Sequence, residues 1–127
     1  MSAKQEIRSS SAPNPVGTYS QAIRVGNTVY LSGQVSIDPK SGQVVLESFE
    51  AQAEQVFNNL RAVAEASGAT LDHIVKLTIF IKDFKHFPTV NQTMEKYFKK
   101  PFPARSTIGV SSLPLGVDIE VEAIIHL

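Results

Sequence analysis

Cysteine is absent from the 127 residues. That absence excludes disulfides, thiolate metal sites and a cysteine nucleophile together, and it fits a reducing compartment. An excess of charge of either sign is absent too, with 12 Lys and Arg against 12 Asp and Glu. Nucleic-acid binders usually carry a basic excess on one face, and here no cationic cluster is visible beyond Lys99-Lys100. No apolar run approaches the ~18 residues needed to span a bilayer. The polar N-terminus, Met1 to Ala12, lacks the apolar stretch of a secretory signal; Glu6 and its brevity argue against a transit peptide, despite its serines and Arg8. A soluble cytoplasmic protein is the expectation. There is no Gly-rich phosphate loop, no internal repeat and no linker. The three histidines, His73, His86 and His126, lack ligand spacing such as His-x-x-x-His, so no metal site is expected.

What is present reads as ordinary globular composition: 43% hydrophobic and 19% charged residues, with 7 Gly and 7 Pro. The length suits one domain over residues 1–127, burying about two-thirds of the unfolded surface. Along the chain, a short edge strand near Ile7 leads into a Pro13/Pro15/Gly17 loop, and Tyr19 to Val25 follows as a strand. Gly26-Asn27 marks a two-residue hairpin. The strand from Thr28 to Ile37 is interrupted at Ser32-Gly33, where a bulge or a close backbone approach is expected. Asp38 to Gly42 is a turn, with Gln43 to Leu46 a short returning strand.

Ser48 and Gly68 bracket the clearest helix as N-cap and C-cap. Phe49, Ala53, Val56, Phe57, Leu60, Val63 and Ala64 fall within roughly 120° of arc, the width of a core-facing stripe. A strand over Ile74 to Ile81 is expected to show Val75, Leu77, Ile79 and Ile81 on one face. Pro88 opens a second helix to about Lys99, with Val90, Met94, Tyr97 and Phe98 as its buried stripe. Pro101 and Pro103 forbid its continuation. Strands over 104–110 and 117–126 complete the chain, joined by Leu113-Pro114-Leu115-Gly116. This order predicts an α+β domain, a mixed sheet with two helices on one face. The other face would carry Phe80 and an acidic row, an imbalance that predicts oligomerisation.

Chemistry concentrates at Arg105 and along the acidic strand Asp118, Glu120, Glu122. A guanidinium can clamp a small carboxylate bidentately, and a carboxylate nearby can orient or deprotonate water. Together they suffice to hydrolyse a small anionic substrate. The plainer alternative is that alternating charge on a half-buried strand is its solvated face. Ser32 reads as a hydroxyl lining a pocket or satisfying strand backbone. Tyr19 reads as a core aromatic whose hydroxyl finds a partner, and Asn91 as a polar residue bordering the second helix's apolar stripe.

Pro103-Ala104-Arg105-Ser106, Leu113 to Val117 and Ile119-Glu120-Val121-Glu122-Ala123 closely resemble the closing signature of the RidA family of enamine/imine deaminases. The resemblance extends over nearly the whole chain, through Gly17 to Ala22, Leu31 to Gln34, Gln52 to Asn59, Val75-Lys76, Phe80 to Asp83, Phe87, Val90-Asn91 and Tyr97-Phe98. It implies a chorismate-mutase-like fold and a homotrimer with pockets between subunits. It also implies hydrolysis of 2-imino acids such as 2-iminobutanoate and 2-iminopropanoate to 2-keto acids and ammonia, with no cofactor or metal. Arg105 would clamp the substrate carboxylate and Glu120 would hold the attacking water. Tyr19, Ser32, Gly33, Asn91 and Thr107 would contact substrate, Gly33 through its backbone. Two positions depart from the family pattern. Thr107 stands where cysteine is frequent, which removes the thiol that an oxidation-triggered role would need. Thr18 replaces a frequent proline beside Tyr19. An RNA-directed role, as endoribonuclease or translation inhibitor, and a non-catalytic ligand-binding role are the alternatives.

Overall fold

The computed structural model describes residues 3–127; the first two residues of the polar N-terminus lie outside them. The strands are β1 (Gln5–Ile7), β2 (Ala22–Val25), β3 (Thr28–Gln34), β4 (Ile74–Ile81), β5 (Ala104–Gly109) and β6 (Ile119–His126), with helices α1 (Phe49–Ala66) and α2 (Phe87–Tyr97). They form one six-stranded sheet in the order β1-β2-β3-β6-β4-β5. Only the β4–β5 pair is parallel, so the sheet is mixed, as expected. The last two strands follow each other in sequence without pairing, because β6 enters between β3 and β4 while β5 takes the outer edge.

Helix α1 begins where Ser48 accepts a hydrogen bond from the Ala51 N–H at 3.0 Å, with Glu50 in the first turn against the helix dipole. It stops at Gly68, whose φ of +84° is a left-handed conformation that residues with a Cβ resist. The whole expected stripe is buried, and it packs with inward-facing Val29, Leu31, Leu77, Ile79, Ile119, Val121 and Ile125 of the sheet. Val90, Met94 and Phe98 join the same cluster, which puts α2 on the same side. Each such large aliphatic or aromatic side chain contributes about 1.5–3 kcal/mol on burial. Helix α2 is fixed to α1 by Phe57, whose ring meets Tyr97 and Phe98 at centroid distances of 5.5 and 5.7 Å.

Several features differ from expectation, among them the strand expected from Thr28 to Ile37, which ends at Gln34. The strand expected from Tyr19 starts at Ala22, because Ser20 and Gln21 are taken up in holding a loop. The strand expected over Gln43–Leu46 is reduced to one bridge between Ile37 and Val44. The second helix ends at Tyr97, since Phe98 turns extended ahead of Pro101. At the start of β4 the faces are exchanged: Ile74 is buried and Val75 exposed. A register shift against β6 between Ile74 and Lys76 inserts a residue there and inverts the alternation before it. The expected interruption of β3 is a second such shift, between Leu31 and Gln34. Among the described residues no helix is long and apolar enough to cross a membrane.

Candidate active site

The two residues given the chemistry, Arg105 and Glu120, fall on opposite faces of the sheet. Arg105 on β5 is registered with Leu77 on β4, and Glu120 on β6 with Phe80 on β4. Leu77 and Phe80 are an odd number of residues apart on one strand, so their side chains point opposite ways. Leu77 is buried under the helices, whereas Phe80 belongs to the open face.

On the helix side, α2 holds the guanidinium. Arg105 Nη1 donates to Asn91 Oδ1 at 2.7 Å and lies 3.3 Å from Met94 Sδ, and the guanidinium carbon sits 5.3 Å from the centre of the Phe87 ring. A guanidinium has five N–H donors. No carboxylate lies within ion-pair distance of Arg105 among the described residues. It faces a cavity of about 430 Å³ lined by Asn91, Met94, Glu95, Phe102, Pro103 and Arg105 itself. A guanidinium with no carboxylate at ion-pair distance, oriented by an amide in a partly apolar cavity, has the chemistry to hold a small anion. Two residues further along β5, Thr107 registers with Ile79, and its buried Oγ1 has no hydrogen-bond partner among the described residues.

On the open face, Glu120 lies against Gly33 in the irregular stretch of β3. A Cβ on Gly33 would overlap the Glu120 carboxylate, so the absent side chain at residue 33 is what makes room for it. Burial pushes the Glu120 carboxyl above the usual carboxylate range, and the charge of Glu122 adds to the rise. Ser32 takes the plainer of its two readings: its Oγ donates to the Ser20 carbonyl at 2.6 Å. Tyr19 is 49% exposed, and its hydroxyl accepts the Val16 N–H at 3.4 Å.

The buried polar side chains Gln21, Gln52 and Asn59 were not singled out as positioning groups. Gln52 pairs with Asp118 through both its amide ends, Oε1 accepting the Asp118 N–H at 2.8 Å and Nε2 donating to its carboxylate at 3.0 Å. Asn59 donates to the carbonyls of Val35 and Ile37. Gln52 and Asn59 are seven residues apart and share the helix face of Val56 and Val63, a signal that polarity alone conceals. The histidines serve locally: His73 caps a turn through Thr70, and His86 stacks on Phe49.

The fold defines a class: small α+β domains in which two helices cover one face of a mixed sheet. Within that class the chain belongs to the RidA family, as the Endoribonuclease L-PSP family model matches residues 9–127. The chain is 47% identical to the 2-iminobutanoate/2-iminopropanoate deaminase of Dermatophagoides farinae over 98% of both chains. It is 40% identical to the human protein of the same name, covering 95% of this chain and 88% of that one. RidA from an Antarctic Psychrobacter superposes with a TM-score of 0.94 at 43% identity, covering 97% of this chain and 99% of that chain.

Proposed function

We propose that the protein hydrolyses small 2-imino acids, 2-iminobutanoate and 2-iminopropanoate among them, to 2-keto acids and ammonia. The observation that carries this reading is Arg105, an oriented guanidinium with no ion-pair partner among the described residues, facing a cavity with room for a small acid. The names of the relatives supply the reaction class.

In the proposed step, Arg105 fixes the substrate carboxylate and so holds C2 in place. Glu120 takes a proton from water as the water oxygen bonds to C2, and the C=N electrons move to nitrogen. The proton taken by Glu120 passes to the nitrogen; the added hydroxyl then gives up its proton, the nitrogen gains one, the C–N bond breaks and ammonia leaves as the added oxygen becomes the keto oxygen. Arg105 stays protonated and cannot be the base. Gly33 admits Glu120 to the site, Asn91 aims the guanidinium, Tyr19 and Thr107 line the substrate, and Ser32 holds the Tyr19 loop. The chain supplies this chemistry from its own residues, without metal or cofactor.

Because Arg105 and Glu120 stand on opposite faces, one copy offers two half-sites. The proposed active unit is therefore an assembly in which Arg105 of one copy meets Glu120 of the next, and the resemblance to the RidA family makes that assembly a homotrimer. The uncovered sheet face, with exposed Tyr30 and Ile108 and half-buried Phe80 and Ile124, supports that packing. An RNA-directed activity is less favoured. Lys82, Lys85, Lys96 and Lys99 each have a carboxylate within 4 Å, which leaves little concentrated positive field. The deciding experiment follows the loss of 2-iminobutanoate generated in situ by a threonine dehydratase, with wild type beside Arg105→Ala. Acceleration by wild type alone is expected; no acceleration by folded wild type would overturn the reading.

A further inference from the structure

The side chain of Gln21 is one of the most completely engaged polar groups in the protein, and nothing in the proposed chemistry uses it. It stands immediately before β2 and is 1% exposed. Its Oε1 accepts the Ser9 N–H at 2.6 Å. Its Nε2 donates to the carbonyls of Pro13 at 2.8 Å, Ser9 at 3.1 Å and, more weakly, Ala12 at 3.5 Å. One amide thus clips the segment 9–13 to the start of the sheet. The Gln21 backbone works in the other direction, its carbonyl accepting the Ser32 N–H at 2.9 Å. Beside it, Ser32 Oγ donates to the Ser20 carbonyl.

Between these two clamps runs the loop 14–19, which ends in Tyr19. Its internal ties are slight. The Tyr19 hydroxyl meets the Val16 N–H at a long 3.4 Å, and the Tyr19 ring lies beside Gly17, in van der Waals range of where a Cβ would stand. Neither contact is enough to hold a half-exposed aromatic in one place. Thr18 offers none of the φ restriction that proline would supply there. What fixes the loop is its ends. Both converge on Gln21, the N-terminal end through its side chain and the C-terminal end through its carbonyl.

We propose that Gln21 is a positioning residue for the imine-hydrolysing site, holding the loop 14–19 so that Tyr19 is presented to substrate. The inference rests on the deaminase reading. A buried amide with this many partners also stabilises the fold, since leaving its partners unsatisfied in a dry site is costly. The functional role therefore needs a readout that stability does not move.

That readout is a double-mutant cycle on 2-iminobutanoate hydrolysis with Gln21→Met and Tyr19→Ala. Gln21→Met keeps length and volume while removing every amide hydrogen bond. It is expected to lose ~10-fold in kcat/KM, mostly through KM, because a misplaced Tyr19 weakens the hold on substrate. In a Tyr19→Ala background the same change is expected to cost almost nothing further. Gln21→Glu, which keeps the acceptor for the Ser9 N–H and the shape of the side chain, provides an intermediate step should Gln21→Met fold poorly. Losses that simply multiply in the double variant would overturn the proposal and leave Gln21 a stabilising residue. So would full activity in Tyr19→Ala. A wild type that binds 2-oxobutanoate but shows no hydrolysis would instead overturn the deaminase reading, and the positioning role in it.

Discussion

The two faces of the sheet hold their chemical groups in different ways. On the helix side, Arg105 is positioned by three neighbours on a single helix, Asn91, Met94 and Phe87, and that helix is anchored through the Phe57 contacts of the core. On the open face, Glu120 has the bare backbone of Gly33 against it and no ion-pair partner among the described residues, while Tyr19 depends on a loop clamped only at its ends. The guanidinium side is preorganised by one copy of the chain. The carboxylate side is shaped by its own chain but open to what arrives from outside. Under the proposed reaction this division has a purpose, because neither half turns over substrate until a second copy closes on it.

The largest expected effect comes from the preorganised half. Arg105→Ala removes a charge-assisted clamp and the orientation it imposes, together worth ~10³-fold in kcat/KM. Because Arg105 is edge-placed and fills no core volume, melting temperature and assembly size should be unchanged, as scattering and a thermal melt would register. A variant that dissociates or unfolds would instead make Arg105 a structural residue. Glu120→Gln should act on the other parameter. Binding of 2-oxobutanoate is expected to persist, since Arg105 is intact, while kcat falls ~10²-fold from loss of the base. Full turnover in Glu120→Gln would erase the functional distinction between the two faces.

Gly33→Ala tests the open face more gently. The added Cβ must displace the Glu120 carboxylate, whose carbon would otherwise lie 3.0 Å away. The carboxylate is the end of a flexible side chain, so the fold should tolerate the shift while kcat drops ~10-fold through misplacement. A large fall in melting temperature with unchanged kcat per folded molecule would mean that residue 33 matters for the strand rather than for Glu120.

The parts legible in the sequence are those decided within a few residues. Ser48, Gly68 and the stripe from Phe49 to Ala64 fixed α1, because caps and a 3.6-residue period are local. Ser32-Gly33 announced the irregularity in β3 for the same reason. What escaped was set by partners distant in the chain. The bulge opening β4 arises from its pairing with β6 and reverses the faces of Ile74 and Val75. Gln21 and Gln52 carry no local sign of what they hold, because their partners lie 12 and 66 residues away. Candidate site residues could be named from the sequence, but their arrangement could not. Arg105 and Glu120 sit in one closing signature, but β4 between them and the parity of the strands send them to opposite faces.

The smallest expected effect bears on the open face alone. Burial, reinforced by Glu122, raises the folded-state carboxyl of Glu120 above its ordinary value of 4.5. The folded chain therefore holds that proton more tightly than the unfolded chain does. The resulting stabilisation is fully present below pH 4.5 and is lost as the pH rises through the elevated folded value. Glutamine mimics the protonated carboxyl and does not titrate. Glu120→Gln should thus melt slightly higher than wild type at pH 7, with the gap closing below pH 4.5. Partial exposure of the carboxylate keeps the effect small. Of the charges on its face, which include Glu6, Glu122 and Lys76, only Glu122 adds to the rise, and a cation brought close from another copy would reverse the sign. A variant less stable than wild type at neutral pH would mean that Arg105 of a neighbour sits directly on Glu120. Water would then have no place between them, and the carboxylate would be an anchor for the assembly rather than a base.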